Sequence, residues 1–317
     1  MDSVSVIIPL YNKAPHLVRG LQSVLRQTVA ADEIIIVDDG STDGGADLIR
    51  SFSDPRIVLI QQTNQGVSAA RNRGVAAAKG ELIAFFDPDD AWKPGYLEEI
   101  LHLRQEYPQA GIYATAYEIV DPQGSLMRQK FNVLPPGSNQ GMIKNYFKLA
   151  LNRPEPLLTS AVTVPKKILQ EINGFQVNEY LGQDVDAWLK IALRYPIAWS
   201  RERLMIYFMN VVNSSVAKNL FKREPAISRT AREALAAGLV APDEINDLRE
   251  YVAYFQVGAA VHLLMQGDNK MAKEMLGYAK GTRRFAGKWW ECRALAALPA
   301  HLAPFLLRAY RRIITIM

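Results

Sequence analysis

Three carboxylates stand within four residues at Asp87-Pro88-Asp89-Asp90, directly behind the apolar run Leu82–Phe86. Acids this close repel one another unless a cation offsets them. Hard oxygen ligands suit Mg2+ or Mn2+, which take one or two carboxylates and fill the remaining positions with phosphate oxygens and water. The same residues also read as a solvated turn that caps a helix before Trp92. A second acidic group, Asp38-Asp39-Gly40-Ser41, follows Ile34–Val37. There a carboxylate can accept a hydrogen bond from a base N–H or a ribose hydroxyl; the alternative is a turn with Asp43 capping the next helix. Tyr11 offers a ring that stacks on a base or serves as a partly buried edge aromatic. Arg71, within Asn64–Asn72, is a bidentate clamp for a diphosphate or a solvated surface side chain. No G-x-x-x-x-G-K-[ST] segment and no G-x-G-x-x-G behind a strand occurs, which argues against kinase or NAD chemistry.

These groups need elements to position them. Val4–Ile8 reads as a buried strand ended by Pro9, and Leu17, Val18, Leu21, Val24 and Leu25 recur at helical spacing over 15–27. Strands are expected at 34–37, 57–60 and 82–86, with helices at 46–52 and 67–78, the latter closed by Gly80 just past its end. Apolar strands alternating with helices indicate an α/β protein with a central, mostly parallel sheet, in which ligands sit at the carboxyl ends of strands. Both acidic groups occupy such ends. Further on, strands are expected at 112–119 and 158–164, a turn at 121–124, a mobile loop at 131–141, and helices at 165–172 and 187–195. Beyond about residue 215 the pattern is helical, over 224–237, 242–266 and 269–280, with Asp268 as an N-cap.

The chain has 317 residues, 49% apolar and 22% charged, a globular composition that excludes collagenous and disordered classes. One cysteine, Cys292, excludes a disulfide framework and a Cys-rich zinc site, and fits a reducing compartment. The first apolar run lacks the basic flank of a secretory signal, and no stretch of about 18 apolar residues suggests a membrane span. Residues 281–317 carry a net +6, more than the whole chain's +5, so the rest is nearly neutral. Such a tail points to an anionic surface met by one end of the molecule.

In order along the chain stand Val4–Asn12 with Pro9 and Tyr11, Ile36–Asp43, Asn64–Asn72 and Phe86–Asp90. Together these segments resemble the family 2 glycosyltransferases, most sharply over residues 3–100 and more weakly to about 210. The resemblance implies a GT-A fold, a nucleotide-diphospho-sugar donor (a UDP-sugar first among them) and a divalent metal, Mn2+ or Mg2+. It implies domains at 1–212 and 213–317, the second helical with a basic tail. Pro9, Tyr11 and Asp39 then line the nucleoside pocket, Asp39 bonding the base, and Arg71 lies near the diphosphate. Asp87 and Asp89 match the DxD motif, with Asp89 the direct metal ligand and Asp90 a neighbour able to share it.

Gly182–Leu189 resembles the family's acceptor-side segment, with Gln183 and Trp188 on the acceptor side and Asp184 as general base. Gln183 replaces the usual Glu, and the His often found near the end of the domain is missing around Asn213-Ser214-Ser215. Asp186 and Glu179 are therefore rival bases, and an N-cap is the structural role open to Asp184. These parts imply single displacement with inversion at the sugar C1. The activity expected is transfer to a saccharide or lipid-linked acceptor in cell-surface polysaccharide or lipopolysaccharide synthesis. Loop 131–141 would close over the donor. Lys288-Trp289-Trp290 and Arg308–Arg312 mix basic groups and aromatics as membrane-surface helices do, or form a basic solvated face. The location expected is cytoplasmic, with peripheral contact at the inner face of the plasma membrane and no nucleic-acid partner. Two competing functions are a silent sugar-nucleotide-binding scaffold and a nucleotidyltransferase. The latter would want a Gly-rich basic loop in 9–20, which is absent.

Overall fold

The seven residues of β1 (Val4–Leu10) are buried without exception, as expected of a central strand covered on both faces. The computed structural model describes residues 2–152, 154–179, 182–209 and 224–307. By contacts the chain divides into Met1–Asn178 with Gln183–Ser214, and Glu179–Gly182 with Ser215–Met317. The expected boundary at 212/213 lies outside the described residues.

In the first unit β1 is followed by α1 (Ala14–Leu25), β2 (Glu33–Asp38), α2 (Gly45–Arg50), β3 (Ile57–Gln61), α3 (Val67–Ala77) and β4 (Leu82–Phe85). Strands β3, β2, β1 and β4 lie side by side and parallel, with Leu10 opposite Asp38 and Ile7 opposite Phe85. Parallel pairing delivers the ends of β1, β2 and β4 to one edge of the sheet. The loops at 11–13, 39–44 and 86–90 therefore share that edge.

Two local expectations are corrected. Pro9 does not end β1 but sits inside it opposite Val37. The β4 ladder stops at Ile7/Phe85, so beyond it β1 has no partner on that side and a residue without N–H costs no ladder bond. Nor does Gly80 close α3 in a left-handed conformation. Its N–H donates to Ser5 Oγ at 2.8 Å, and an added Cβ would come within 2.7 Å of the Ser5 backbone nitrogen. Glycine is required there by close approach to β1.

The chain continues through β5 (Ala91–Trp92), α4 (Tyr96–Glu106), β6 (Ile112–Val120), β7 (Leu126–Arg128), β8 (Gln140–Ile143) and α5 (Tyr146–Ala150). A 3-10 turn at Thr159–Ala161 leads into β9 (Val162–Pro165), then α6 (Lys166–Glu171), α7 (Gln183–Ala192) and β10 (Ile197–Phe208). The sheet is thus mixed: β9 runs antiparallel between β4 and β6, while β10 is parallel to β6 and antiparallel to the two-residue β5. Loop 131–141, expected to be mobile, is strapped down. The Arg201 guanidinium donates to the carbonyls of Phe131, Leu134, Pro135 and Ser138, and Phe131 and Leu134 are buried. A cleft of about 630 Å³ opens beside this loop, and none of the expected site residues lines it.

The second unit contains α8 (Ala226–Ala236), α9 (Ile245–Met265), α10 (Asn269–Tyr278) and α11 (Ala286–Ala297). Ala260, Leu264, Met275, Leu276, Cys292 and Ala303 share one of its apolar cores. Asp268 caps α10 as expected, accepting from Met271 N at 3.0 Å. Among the described residues no helix is long and apolar enough to cross a membrane.

Replacing Gly80 by alanine is expected to cost about 1–3 kcal/mol, the usual range for overpacking. Urea unfolding should move to a lower midpoint, with hydrogen-exchange protection falling first in the β1 amides. An unchanged midpoint would show that the α3–β4 turn is not tightly packed on Ser5.

Candidate active site

Asp87, Asp89 and Asp90 follow β4 in a turn closed by Asp90 N donating to Asp87 O at 3.0 Å. Their charges are not left to solvent. Lys13, two residues beyond Tyr11, donates Nζ to Asp89 Oδ2 at 2.7 Å. Arg71 on α3 donates Nη2 to Asp87 Oδ1 at 2.8 Å. Arg19 on α1 donates to the Asp89 carbonyl at 2.6 Å, and its guanidinium lies 3.6 Å over the Phe208 ring. Ser160 Oγ accepts from Asp87 N at 2.9 Å and donates to Asp90 Oδ2 at 2.5 Å.

The electrostatics follow from this packing. Burial, with Asp89 and Asp87 nearby, pushes the Asp90 carboxyl well above the ordinary carboxylate range. Burial also raises Asp87, opposed by Arg71 and aided by the charges of Asp89 and Asp184. The side chain of Asp87 keeps 31% of its surface accessible, so solvent tempers that rise. Crowding of the acids therefore does not by itself demand a metal. Two internal cations, together with burial that favours the neutral form of Asp90, offset the crowding.

A divalent ion nonetheless fits these residues in one way. Among the described residues no three acid, histidine or cysteine side chains gather into a ligand cage. Ions such as Mg2+ commonly use one or two carboxylates and take the rest from substrate phosphates. Asp89, partly exposed, and the adjacent Asp87 meet that requirement for an ion arriving with a diphosphate.

The remaining expected residues are placed as follows. Tyr11 is 49% exposed at the end of β1, its ring available to a ligand. Pro9 is buried in the strand and offers support rather than contact. Asp39 is buried, and its carboxylate accepts from Gln65 N, Gly66 N and Gln62 Nε2, each at 2.8 Å. It thereby organises the loop leading into α3. Asp43 serves two helix starts: its Oδ2 accepts from Ala14 N of α1 at 2.8 Å and its Oδ1 from Gly45 N, the first residue of α2, at 3.1 Å. Arg71 is 3% exposed, and its Nε and Nη1 are buried without a hydrogen-bond partner. Unpaired guanidinium donors in an enclosed place suit an anion.

On the other side of the corner, α7 begins at Gln183, one residue before Asp184. Asp184 is therefore in the first helical turn and is not an N-cap. Its Oδ2 accepts from Thr159 Oγ1 at 2.7 Å and its Oδ1 from Val185 N at 2.9 Å. The Gln183 Oε1 is buried without a partner. Trp188, expected on the acceptor side, is 1% exposed between Phe85 and Phe175. Its ring belongs to the core that seats α7, because helical periodicity turns residue 188 inward. The rival bases are committed elsewhere: Asp186 is buried against Lys190 Nζ at 2.7 Å, and Glu179 pairs with Arg229 in the second unit.

Lys13, Arg19, Thr159 and Ser160 were not among the expected residues. A lysine at a strand's carboxyl end beside two acidic turns was a readable signal for Lys13. The two hydroxyls carried none, standing about 70 residues from the acids that Ser160 joins.

The charge of Asp90 can be tested without substrate. Its folded carboxyl titrates above its unfolded value, so the stability it carries is full below the ordinary carboxylate range and is lost as pH rises through the raised value. In chelator-treated buffer Asp90→Asn should melt above the wild type at neutral and alkaline pH, with a flatter dependence of Tm on pH. Parallel curves would sink this assignment.

Residues 5–162 match the family described as Glycosyl transferase family 2. A 112-residue stretch is 46% identical to an uncharacterized glycosyltransferase of Nostoc sp., covering 34% of this chain and 35% of that protein. Glycosyltransferase GlyA of Streptococcus pneumoniae is 40% identical over 118 residues, covering 37% of this chain and 17% of its own. The alignments thus take in about a third or less of these relatives. In fold the chain is similar to S. aureus TarS crystallised with UDP-GlcNAc, with a TM-score of 0.69 at 17% identity over 98% of this chain and 92% of that one.

Proposed function

The chain belongs to the family 2 glycosyltransferases, and on that premise we propose that it is an inverting, metal-dependent hexosyltransferase. It takes a sugar from a nucleotide-diphospho-sugar, a UDP-sugar first among candidates, to a hydroxyl of a saccharide or lipid-linked acceptor. The setting proposed is cell-surface polysaccharide or lipopolysaccharide synthesis. The observation that carries this reading is the pairing of two unlike sites: a corner of acids and cations behind β4, and the carboxylate of Asp184, joined to it through the neighbouring hydroxyls of Thr159 and Ser160. The TarS likeness, with UDP-GlcNAc bound in that protein, supports a donor of this class.

In the proposed reaction Tyr11 stacks on the base, and the loop organised by Asp39 walls the nucleoside pocket. The unpaired donors of Arg71, with Lys13, receive the diphosphate oxygens. Asp89, with Asp87 and Asp90 beside it, would hold a divalent ion, Mn2+ or Mg2+, which would supply positive charge to the departing diphosphate. Asp184 accepts the proton of the acceptor hydroxyl as its oxygen bonds to C1. The C1–O bond to the β-phosphate breaks, its electron pair leaves on the nucleoside diphosphate, and C1 inverts.

The second unit supports a peripheral place at the inner face of the plasma membrane. Trp290 and Phe305 are 66% and 69% exposed, and the sequence around them carries the excess positive charge. The segment Arg308–Arg312 lies outside the described residues.

With Mn2+ and a panel of UDP-sugars the full chain should release UDP, and Asp184→Asn should lower that rate roughly 10²–10⁴-fold, the usual weight of a general base. UDP should still raise the melting temperature of the variant. Wild-type protein that binds UDP without turnover would favour the scaffold reading, and pyrophosphate as product would favour a nucleotidyltransferase. The double substitution Trp290→Ser/Phe305→Ser should weaken flotation with vesicles containing phosphatidylglycerol severalfold. Equal flotation of variant and wild type would remove the membrane contact.

A further inference from the structure

The turn Thr159–Ala161 carries two neighbouring hydroxyls that bond acids from two different parts of the candidate site. Ser160 Oγ holds the donor-side corner, accepting from Asp87 N and donating to Asp90. Thr159 Oγ1 donates to Asp184 Oδ2 at 2.7 Å, across 25 residues of sequence. Both residues are buried. The turn itself is fixed at both ends. Trp92 Nε1 donates to the Ser160 carbonyl at 2.6 Å, Ala161 N closes on Leu158 O at 2.8 Å, and the chain then enters β9 between β4 and β6.

We infer that this turn is the gauge between the two halves of the reaction, and that Thr159 is a positioning residue that orients the Asp184 carboxylate toward the acceptor hydroxyl. The inference rests on the reading of Asp184 as base. An aspartate in the first turn of a helix can swing about its side-chain bonds. Val185 N fixes one oxygen from within the same helix, so it does not register the carboxylate against the rest of the site. Thr159 does, because its backbone is continuous with the residue that sets Asp87 and Asp90. A misplacement of about 1 Å at a reacting group can cost 100-fold in rate. A hydroxyl suits this role: it donates one directed bond and adds no charge beside an already crowded corner. A threonine present only to satisfy a half-buried carboxylate would affect stability and leave the split between kcat and KM untouched.

The test uses the full chain with Mn2+ and whichever of UDP-glucose, UDP-galactose and UDP-GlcNAc gives the fastest UDP release. Thr159→Val, of nearly the same shape, should lower kcat roughly 10–100-fold with KM for the donor within about twofold and UDP binding unchanged. Thr159→Ser should restore most of the rate. The double variant Thr159→Val/Asp184→Asn should be no slower than Asp184→Asn alone. Thr159→Ala replaces valine in the series should the valine protein fail to fold. Wild-type kcat in the folded hydroxyl-free variant, or a loss borne by KM and UDP affinity, overturns the inference. The base reading fails separately: turnover retained by Asp184→Asn removes it, whereas an inactive Asp184→Asn beside a fully active Thr159→Val removes only the role of Thr159.

Discussion

Everything at the sheet edge depends on keeping three aspartates of one turn together without mutual repulsion. Isolated buried carboxylates are costly, and two or three side by side more so. This protein meets the cost with partners drawn from distant segments. Lys13 binds Asp89, Arg71 binds Asp87, and Ser160 serves Asp90 while the burial around that acid favours its protonated form. Arg19 secures the turn from outside through the Asp89 carbonyl. Such a corner contributes little to folding compared with an apolar one of equal size. Its retention is understandable where charge must be met and released during a reaction.

The sheet topology brings these partners together. Parallel pairing of β2, β1 and β4 sets the loop bearing Tyr11 and Lys13 beside both acidic turns. Cross-bonds then latch the loops: Thr42 N donates to Asn12 Oδ1, and Asn12 N to Ser41 Oγ. The antiparallel entry of β9 beside β4 delivers Thr159 and Ser160 to the same edge from a segment far along the chain. Pairing of β10 with β5 brings Phe208 and Tyr207 against the turn, where burial first and then the three acids raise the Tyr207 phenol.

Support in this site is shared between side chains whose surfaces or donors are left open and others that hold them. Tyr11 and the open donors of Arg71 belong to the first kind. Asp39, Asp43, Pro9 and Trp188 belong to the second: their polar atoms are spent on backbone groups or their surfaces on the core. Residue type alone does not separate the two. An aspartate at a strand end is equally suited to a nucleoside and to the loop amides it meets here.

The sequence by itself determined the strands β1 to β4, the helices between them and the positions of both acidic turns, because an apolar run and a turn-forming residue are local properties of the chain. It also marked Arg71 and Asp184 through their neighbours in family motifs, and the cap at Asp268 through short-range chemistry. Only the tertiary structure decided which acid is bonded to which cation, that Asp184 lies within the first turn of a helix rather than capping one, and that loop 131–141 is tied to Arg201. It alone brought Thr159 and Ser160 to the site. The reason is physical: hydrogen bonds across 25 to 73 residues are selected by strand order and register, and those are settled when the whole sheet closes over its core.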